Sequence, residues 1–343
     1  MKHQPKAATA PEPSLLPTVA HRRFRKDVRL AAVYESDILP VWGQRFGRLL
    51  LRHIELPPKA MVLDAMCATG YVSLALLSRL GDGVRVVAVD PSSAMLDVAR
   101  SKAAAAGVAQ GRRLFFRSEP VEPGLPFASD VFDLVLSNLG LWDVAQPRRL
   151  LHEMVRVARP GARVAATMPL WGTFAELFEL FSAVLEARGL REAEQRLGAY
   201  ISSMPSLLEA KSWLVEAGLE QPRVECVPFS LLFGSGRELF FAPLIEYGHL
   251  PDWKEAVGPT EVQEVFWQLK DAIDQQLRPT GGAPWRPFVL TVRAACLSGR
   301  KPVEPAVPNR PQPPRVEPDV VELGTGEFDI IGNIPRADPW RRR

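Results

Sequence analysis

Apolar residues follow two different periods along this chain. Short continuous runs bounded by turn residues stand at 61–63, 84–89, 114–117, 132–138 and 163–168. Runs of that length, rich in β-branched residues, predict buried strands. Between them apolar positions recur at helical spacing: Trp42, Phe46, Leu49 and Leu50 within 34–54, a mostly apolar segment from Val72 to Leu80, Met95, Leu96, Val98 and Ala99, and Leu150, Leu151, Met154, Val155 and Ala158. Residues 61–90 thus read as one βαβ unit with parallel strands. Pro91-Ser92-Ser93 opens the next helix and Gly107 closes it, while Pro160-Gly161 stops the helix before the fifth strand. Further on, Phe174, Leu177, Phe178, Phe181 and Leu185 form another stripe. Helices are predicted over 207–218, 239–247 and 262–277, and strands over 223–233 and 288–297.

The two ends have a different character. Residues 1–20 are polar and broken by proline, and predict a disordered arm. Residues 300–343 crowd Pro302, Pro305, Pro308, Pro311, Pro313, Pro314 and Pro318 into a polar span, which favours extended polyproline and cannot pack a core. The apolar residues in 327–334 and Trp340 are a candidate docking motif for a protein partner, against the plainer reading of an inert tail. The expected organisation is an arm over 1–20, one domain over 21–299 and a Pro-rich tail over 300–343.

Composition adds exclusions. The chain has 343 residues, 47% of them hydrophobic, enough for a large core, and a net charge of only +3. A nucleic-acid protein usually concentrates basic residues on one face, so no nucleic-acid partner is expected. Cys67, Cys226 and Cys296 lie far apart with no C-x-x-C, which points to a reducing compartment and to no zinc site. No segment has the apolar length of a membrane span, and the N-terminal stretch lacks the apolar core of a signal peptide. The expected location is cytoplasmic.

The candidate chemistry sits at the strand ends. Asp64 ends the first strand and Asp90 the second, 20 residues after Gly70. At the carboxyl edge of a parallel sheet such acids face the ligand crevice, and the second suits the ribose hydroxyls of an adenosine-containing cofactor. The G-x-G-x-x-G of a nicotinamide site is absent, which argues against an oxidoreductase. The run Val62-Leu63-Asp64-Ala65-Met66-Cys67-Ala68-Thr69-Gly70 resembles motif I of the class I S-adenosylmethionine-dependent methyltransferases, V-L-D-x-G-C-G-T-G. Leu125-Pro126-Phe127, the 132–138 strand and the Arg159-Pro160-Gly161 turn extend the likeness. Ser137-Asn138-Leu139-Gly140-Leu141-Trp142 is similar to the ubiquinone- and biotin-pathway members that act on small-molecule or acyl-chain acceptors.

The resemblance implies an α/β, Rossmann-like seven-stranded sheet, mostly parallel with an antiparallel last strand and helical insertions. It implies a transferase with S-adenosylmethionine as cofactor, a small-molecule or acyl-type substrate and in-line methyl transfer. By the same resemblance Asp64 would orient the amino-acid end of the cofactor, with Met66, Ala68 and Gly70 lining the loop. Asp90 and Pro91 would hold the ribose, Glu119 the adenine, and Asn138 would reach the cofactor from the fourth strand. Leu139 and Trp142 would meet the substrate, as would parts of 170–200 and 229–276. An N-terminal helix would help cover the site. No catalytic base and no metal ligand is assigned. The chain departs from the motif at Met66 and Ala68, where the family has glycine, and at Pro120, which lacks the N–H that follows the adenine-binding acid. These departures keep open an alternative, a catalytically impaired relative acting as an interaction or regulatory module.

Overall fold

A computed structural model describes residues 28–52, 54–278 and 286–303. The arm over 1–20, and the tail from residue 304 on with its 327–334 motif and Trp340, lie outside the described residues. Seven strands form a single sheet: β1 (Ala60–Ala65), β2 (Val84–Val89), β3 (Leu114–Arg117), β4 (Phe132–Asn138), β5 (Ala158–Pro169), β6 (Glu220–Phe233) and β7 (Phe288–Arg300). Their order is β3-β2-β1-β4-β5-β7-β6. The first five are mutually parallel, and β7 runs antiparallel to both of its neighbours. The mostly parallel sheet with an antiparallel last strand is therefore present as the sequence implied.

Val62 and Leu63 are fully buried on opposite faces of β1, as continuous apolar runs require when helices cover both sides. On one face lie α2 (Gly43–Leu51), α3 (Tyr71–Arg79) and α4 (Ser93–Ala105), whose Leu50, Leu76 and Leu96 meet Val62, Val86 and Leu134. After the one-turn helix α5 (Gly140–Asp143), α6 (Pro147–Val157) covers the other face with α9 (Leu207–Glu216), through Leu151, Met154 and Leu214 against Leu63, Val135 and Leu297. A third cluster caps the carboxyl edge of the sheet. It is built from α7 (Ala175–Ala187), α8 (Arg191–Ser202), α10 (Gly236–Phe241), α11 (Pro243–Gly248), α12 (Leu250–Val257) and α13 (Val262–Gln276), and is rich in aromatic rings. The short α1 (Val28–Val33) leads into a π-helical turn, Tyr34–Ile38, on the same side.

Prolines explain where these elements depart from the periodicity. The 34–54 segment is not one helix, because Pro40 cannot continue the hydrogen-bond ladder. The π turn closes with Leu39 N donating to Tyr34 O at 2.7 Å, and α2 starts afresh at Gly43. Pro243 divides the 239–247 segment into α10 and α11, and Pro251 lies in the first turn of α12, an element the pattern did not reveal. Among the described residues no helix is long and apolar enough to cross a membrane.

Candidate functional site

The strand order reverses direction at β1, which has β2 on one side and β4 on the other, so a crevice forms at the tips of these strands. The turn from β1 into α3 fills its floor. Cys67 N donates to Val89 O at 3.0 Å and Gly70 N to Cys67 O at 2.9 Å, folding the turn over the end of β2. Asp90 fastens it: Oδ2 accepts from Ala68 N and Oδ1 from Ser92 N, each at 2.9 Å. The carboxylate is fully buried and ties the β1 loop to the start of α4.

Met66, Ala68 and Gly70 all have positive φ, at 60°, 46° and 76°. The loop thus keeps the left-handed backbone for which glycine is suited, although two of its three residues carry a side chain, at a cost of about 1–3 kcal/mol each. Gly70 leaves space that matters, since a Cβ there would lie 3.0 Å from the Ala99 Cβ. Met66 has its own accommodation. A Cβ on Gly140 would fall 2.6 Å from the Met66 Cβ and 2.3 Å from Ser137 Oγ, so the glycine at the start of α5 makes room for the methionine.

Asp64 is the most perturbed acid in the crevice. Its Oδ2 accepts from Ser73 Oγ at 2.6 Å, while Oδ1 is buried with no hydrogen-bond partner among the described residues. Burial pushes its pKa up to about 7, against the Ser73 hydrogen bonds, with the Asp90 charge adding to the rise. The folded value lies above the unfolded one, so between about pH 4 and 7 the native state holds a proton that the unfolded chain has lost. Stability through this group therefore falls as pH rises across that window. The expected size is on the order of 4 kcal/mol between the two limits. Denaturant titrations at pH 5 and pH 8 check it: Asp64→Asn should lose this part of the slope, and an unchanged slope would show Asp64 already ionised at pH 5.

A small cavity of about 30 Å³ opens above the turn. Met66, Ala68, Asn138, Leu139 and Trp142, all picked out from the sequence, line it together with Asp143 and Met95. Tyr34 and Trp42 close it from the N-terminal segment, and Leu244, Gly248 and His249 from α11 and the residue after it. Asn138 is committed to the protein: its Nδ2 donates to Gly43 O at 3.0 Å and its Oδ1 accepts from Thr167 Oγ1 at 2.8 Å, so it docks α2 onto β4 and β5. Asp64, Gly70 and Asp90 lie in the turn beneath the cavity without lining it. Pro91 is exposed at the start of the next segment, and Glu119 sits apart, paired with Arg117 at 3.3 Å. Tyr34 is partly buried, and its hydroxyl is held far above the usual phenol range, first by desolvation and then by the charges of Asp143 and Asp90.

The pattern of the sequence did not single out Tyr34, Met95, Asp143, Leu244, Gly248 or His249 as site residues. For His249 the available signal was a histidine between two proline-started apolar segments. Tyr34 and Trp42 belong to the N-terminal segment expected to cover the site, and Leu244 and His249 to the 229–276 span expected to meet the substrate.

The donor set can be tested against S-adenosylmethionine. An orphaned buried oxygen on Asp64, a second on Thr69 Oγ1, and a left-handed loop opening a helix N-terminus suit a cationic amino acid joined to a nucleoside. These residues fit the group. The space does not yet admit it: about 30 Å³ holds a water or two, whereas sites for ligands of this size are typically ~300–1,000 Å³. Binding therefore requires the cover of Tyr34, Trp42, Leu244 and His249 to move.

Comparison with known proteins finds methyltransferases. A model of the methyltransferase domain matches residues 62–161. The ubiquinone/menaquinone biosynthesis C-methyltransferase UbiE of Geotalea daltonii is 30% identical over 137 residues, which are 39% of this chain and 57% of that protein. The chain thus spans a little over half the length of this relative. A demethylmenaquinone methyltransferase of Bacillus cereus is 28% identical over 202 residues, covering 52% of this chain and 77% of the relative. Among solved structures, a putative methyltransferase from Bacillus halodurans superposes with a TM-score of 0.48 at 18% identity, over 76% of this chain and 98% of that one. Over its first four strands, then, the chain is similar to a methyltransferase domain and to quinone-pathway methyltransferases.

Proposed function

We propose that this protein transfers a methyl group from S-adenosylmethionine to a small, largely apolar acceptor held between the strand tips and the aromatic cap. The observation that carries this reading is the pair of buried acids: Asp90 locking the turn through both its oxygens, and Asp64 keeping one oxygen without a partner at the same sheet edge. When bound, the cofactor supplies a methyl group already activated by its sulfonium, so the protein has mainly to position and to exclude water. On losing its proton Asp64 attracts the cationic end of the cofactor, and Asp90 fixes the loop that cradles it. Trp42 and Trp142 wall the reacting space from solvent. The relatives' names, and the aromatic lining, support a flat ring compound of the quinone kind as acceptor.

Calorimetric titration of the full chain with S-adenosylmethionine and S-adenosylhomocysteine tests the proposal, with Met66→Gly as a second arm. Wild-type protein should bind both, and trimming the Met66 side chain should enlarge the cavity and tighten binding about fivefold, equivalent to ~1 kcal/mol. Absence of binding at millimolar cofactor by a folded protein would end the enzyme reading and leave the interaction-module alternative. Unaltered affinity in Met66→Gly would show that this side chain does not limit the space.

A further inference from the structure

A far larger hollow lies away from the strand tips. About 710 Å³ of open space is bounded by the end of α2, the middle of β5, the later part of β7, the start of β6 and α9. Its volume falls within the ~300–1,000 Å³ of small-molecule sites. No residue lines both this groove and the cavity above the turn.

The lining divides by chemistry. Leu49, Ile54, Ala165 and Val224 make an apolar floor, to which Cys296 adds a thiol. Desolvation pushes that thiol up to about 12, with the Glu225 charge adding to the rise and Arg163 opposing it. The sulfur therefore stays protonated, and the floor is a poorly hydrated surface rather than a nucleophilic one. Four cations stand around it, Arg52, Arg163, Lys211 and Arg223, against two carboxylates, Glu55 and Glu225. Strand register sets two of these charges in place: Arg223 is the partner of Ser298 and Glu225 of Cys296, so all four project from one face of the β6–β7 pair. Arg52 is spent on Glu225 at 2.9 Å. Lys211 and Arg223, both exposed, make no ion pair among the described residues.

An occupant that matches this groove combines negative charge with apolar surface. An extended peptide added to the free edge of β6 meets Pro222 and Pro228, which have no N–H to donate. A bilayer takes a protruding apolar face, whereas this one is recessed. A single small molecule satisfies both conditions. We propose that the groove is a binding site for a free amphipathic carboxylate, its apolar body laid on Leu49, Ala165 and Val224 and its anionic end held by Lys211 and Arg223. Charge-assisted hydrogen bonds from the two cations orient it, and burial of the apolar body supplies most of the affinity. The proposal goes beyond the methyltransferase reading and uses none of the residues on which that reading stands.

Calorimetric titration of the full chain with octanoate, octanol and acetate tests it. Octanoate should bind with one equivalent per chain, and about tenfold or more tighter than octanol, which lacks the charge, or acetate, which lacks the body. Lys211→Gln combined with Arg223→Gln should cut octanoate affinity about tenfold and leave octanol affinity unchanged. Both side chains are exposed, so this double variant should keep the fold. Ser298→Trp, which fills the groove from β7, should abolish binding of octanoate and octanol alike; where it does not fold, the double variant decides alone. Octanoate binding no tighter than acetate, or unchanged in the double variant, would overturn the proposal. So would sedimentation of the wild type with phosphatidylglycerol vesicles, lost in the double variant, in a protein that does not bind octanoate: the cations would then serve a membrane surface.

Discussion

Alanine at position 90 is expected to abolish cofactor binding and to destabilise the fold by about 2–6 kcal/mol. Each oxygen of Asp90 accepts a backbone N–H, from Ala68 and from Ser92, inside a site with no exposure to solvent. Removing the side chain orphans two buried donors at about 1–3 kcal/mol each, and the truncation leaves a void besides. The Cys67-Ala68-Thr69-Gly70 turn then loses the anchor that holds it to β2, and with it the left-handed backbone at Ala68. Asp90→Asn is the informative companion, since it keeps one acceptor but turns an amide N–H₂ toward the second backbone donor. It should fall between wild type and alanine in stability while binding the cofactor at least tenfold more weakly. Denaturant titration and calorimetry check the pair. Full affinity in a folded Asp90→Ala protein would mean that this carboxylate neither holds the loop for the cofactor nor touches it.

The same residue shows how far the sequence was legible. An acid at the tip of the second strand, with a small-residue turn after the first, pointed to a crevice at the strand ends, while the cofactor class and the mostly parallel sheet came from the likeness of that turn to a family motif. What the letters did not disclose was that Asp90 has a structural task of its own, in the turn. Asn138 is similar: its position at the end of β4 marked it as a site residue, but its amide nitrogen and oxygen are engaged by Gly43 and Thr167. Met66 and Ala68 read as departures from a glycine pattern, whereas the backbone there has kept positive φ, and Gly140 on another segment supplies the missing room. That compensation lies 74 positions away (140 − 66) and has no local signature. The cap was least legible, since α8 and α10 to α13 pack by apolar stripes that any helix would show. The face on which His249 or Tyr34 ends up depends on tertiary packing rather than on period.

The closed cavity leads to a kinetic expectation. Tyr34 and Trp42 stand over the turn, and Lys102 of α4 ties this segment down: its Nζ donates to Glu35 at 2.9 Å and to Thr69 O at 3.1 Å, linking the cover to the loop beneath it. Cofactor entry must break these contacts, so the observed binding rate should level off at the rate of opening rather than rise in proportion to concentration. Apparent association at low concentration should fall below that of a ligand entering a preformed open site, since a required rearrangement lowers the rate. Stopped-flow tryptophan fluorescence reads this directly, since Trp42 and Trp142 line the cavity. Tyr34→Ala removes a partly buried ring, which should cost less than the ~3–5 kcal/mol of a fully buried aromatic truncation, and should raise the plateau rate tenfold or more. Lys102→Ala is the milder variant. Its ion pair with Glu35 is partly exposed, at 28% and 30%, so its loss should cost about 1 kcal/mol or less and speed opening severalfold. A wild-type rate that rises linearly with cofactor, unchanged in both variants, would show that the segment from Tyr34 to Trp42 is not what bars the way.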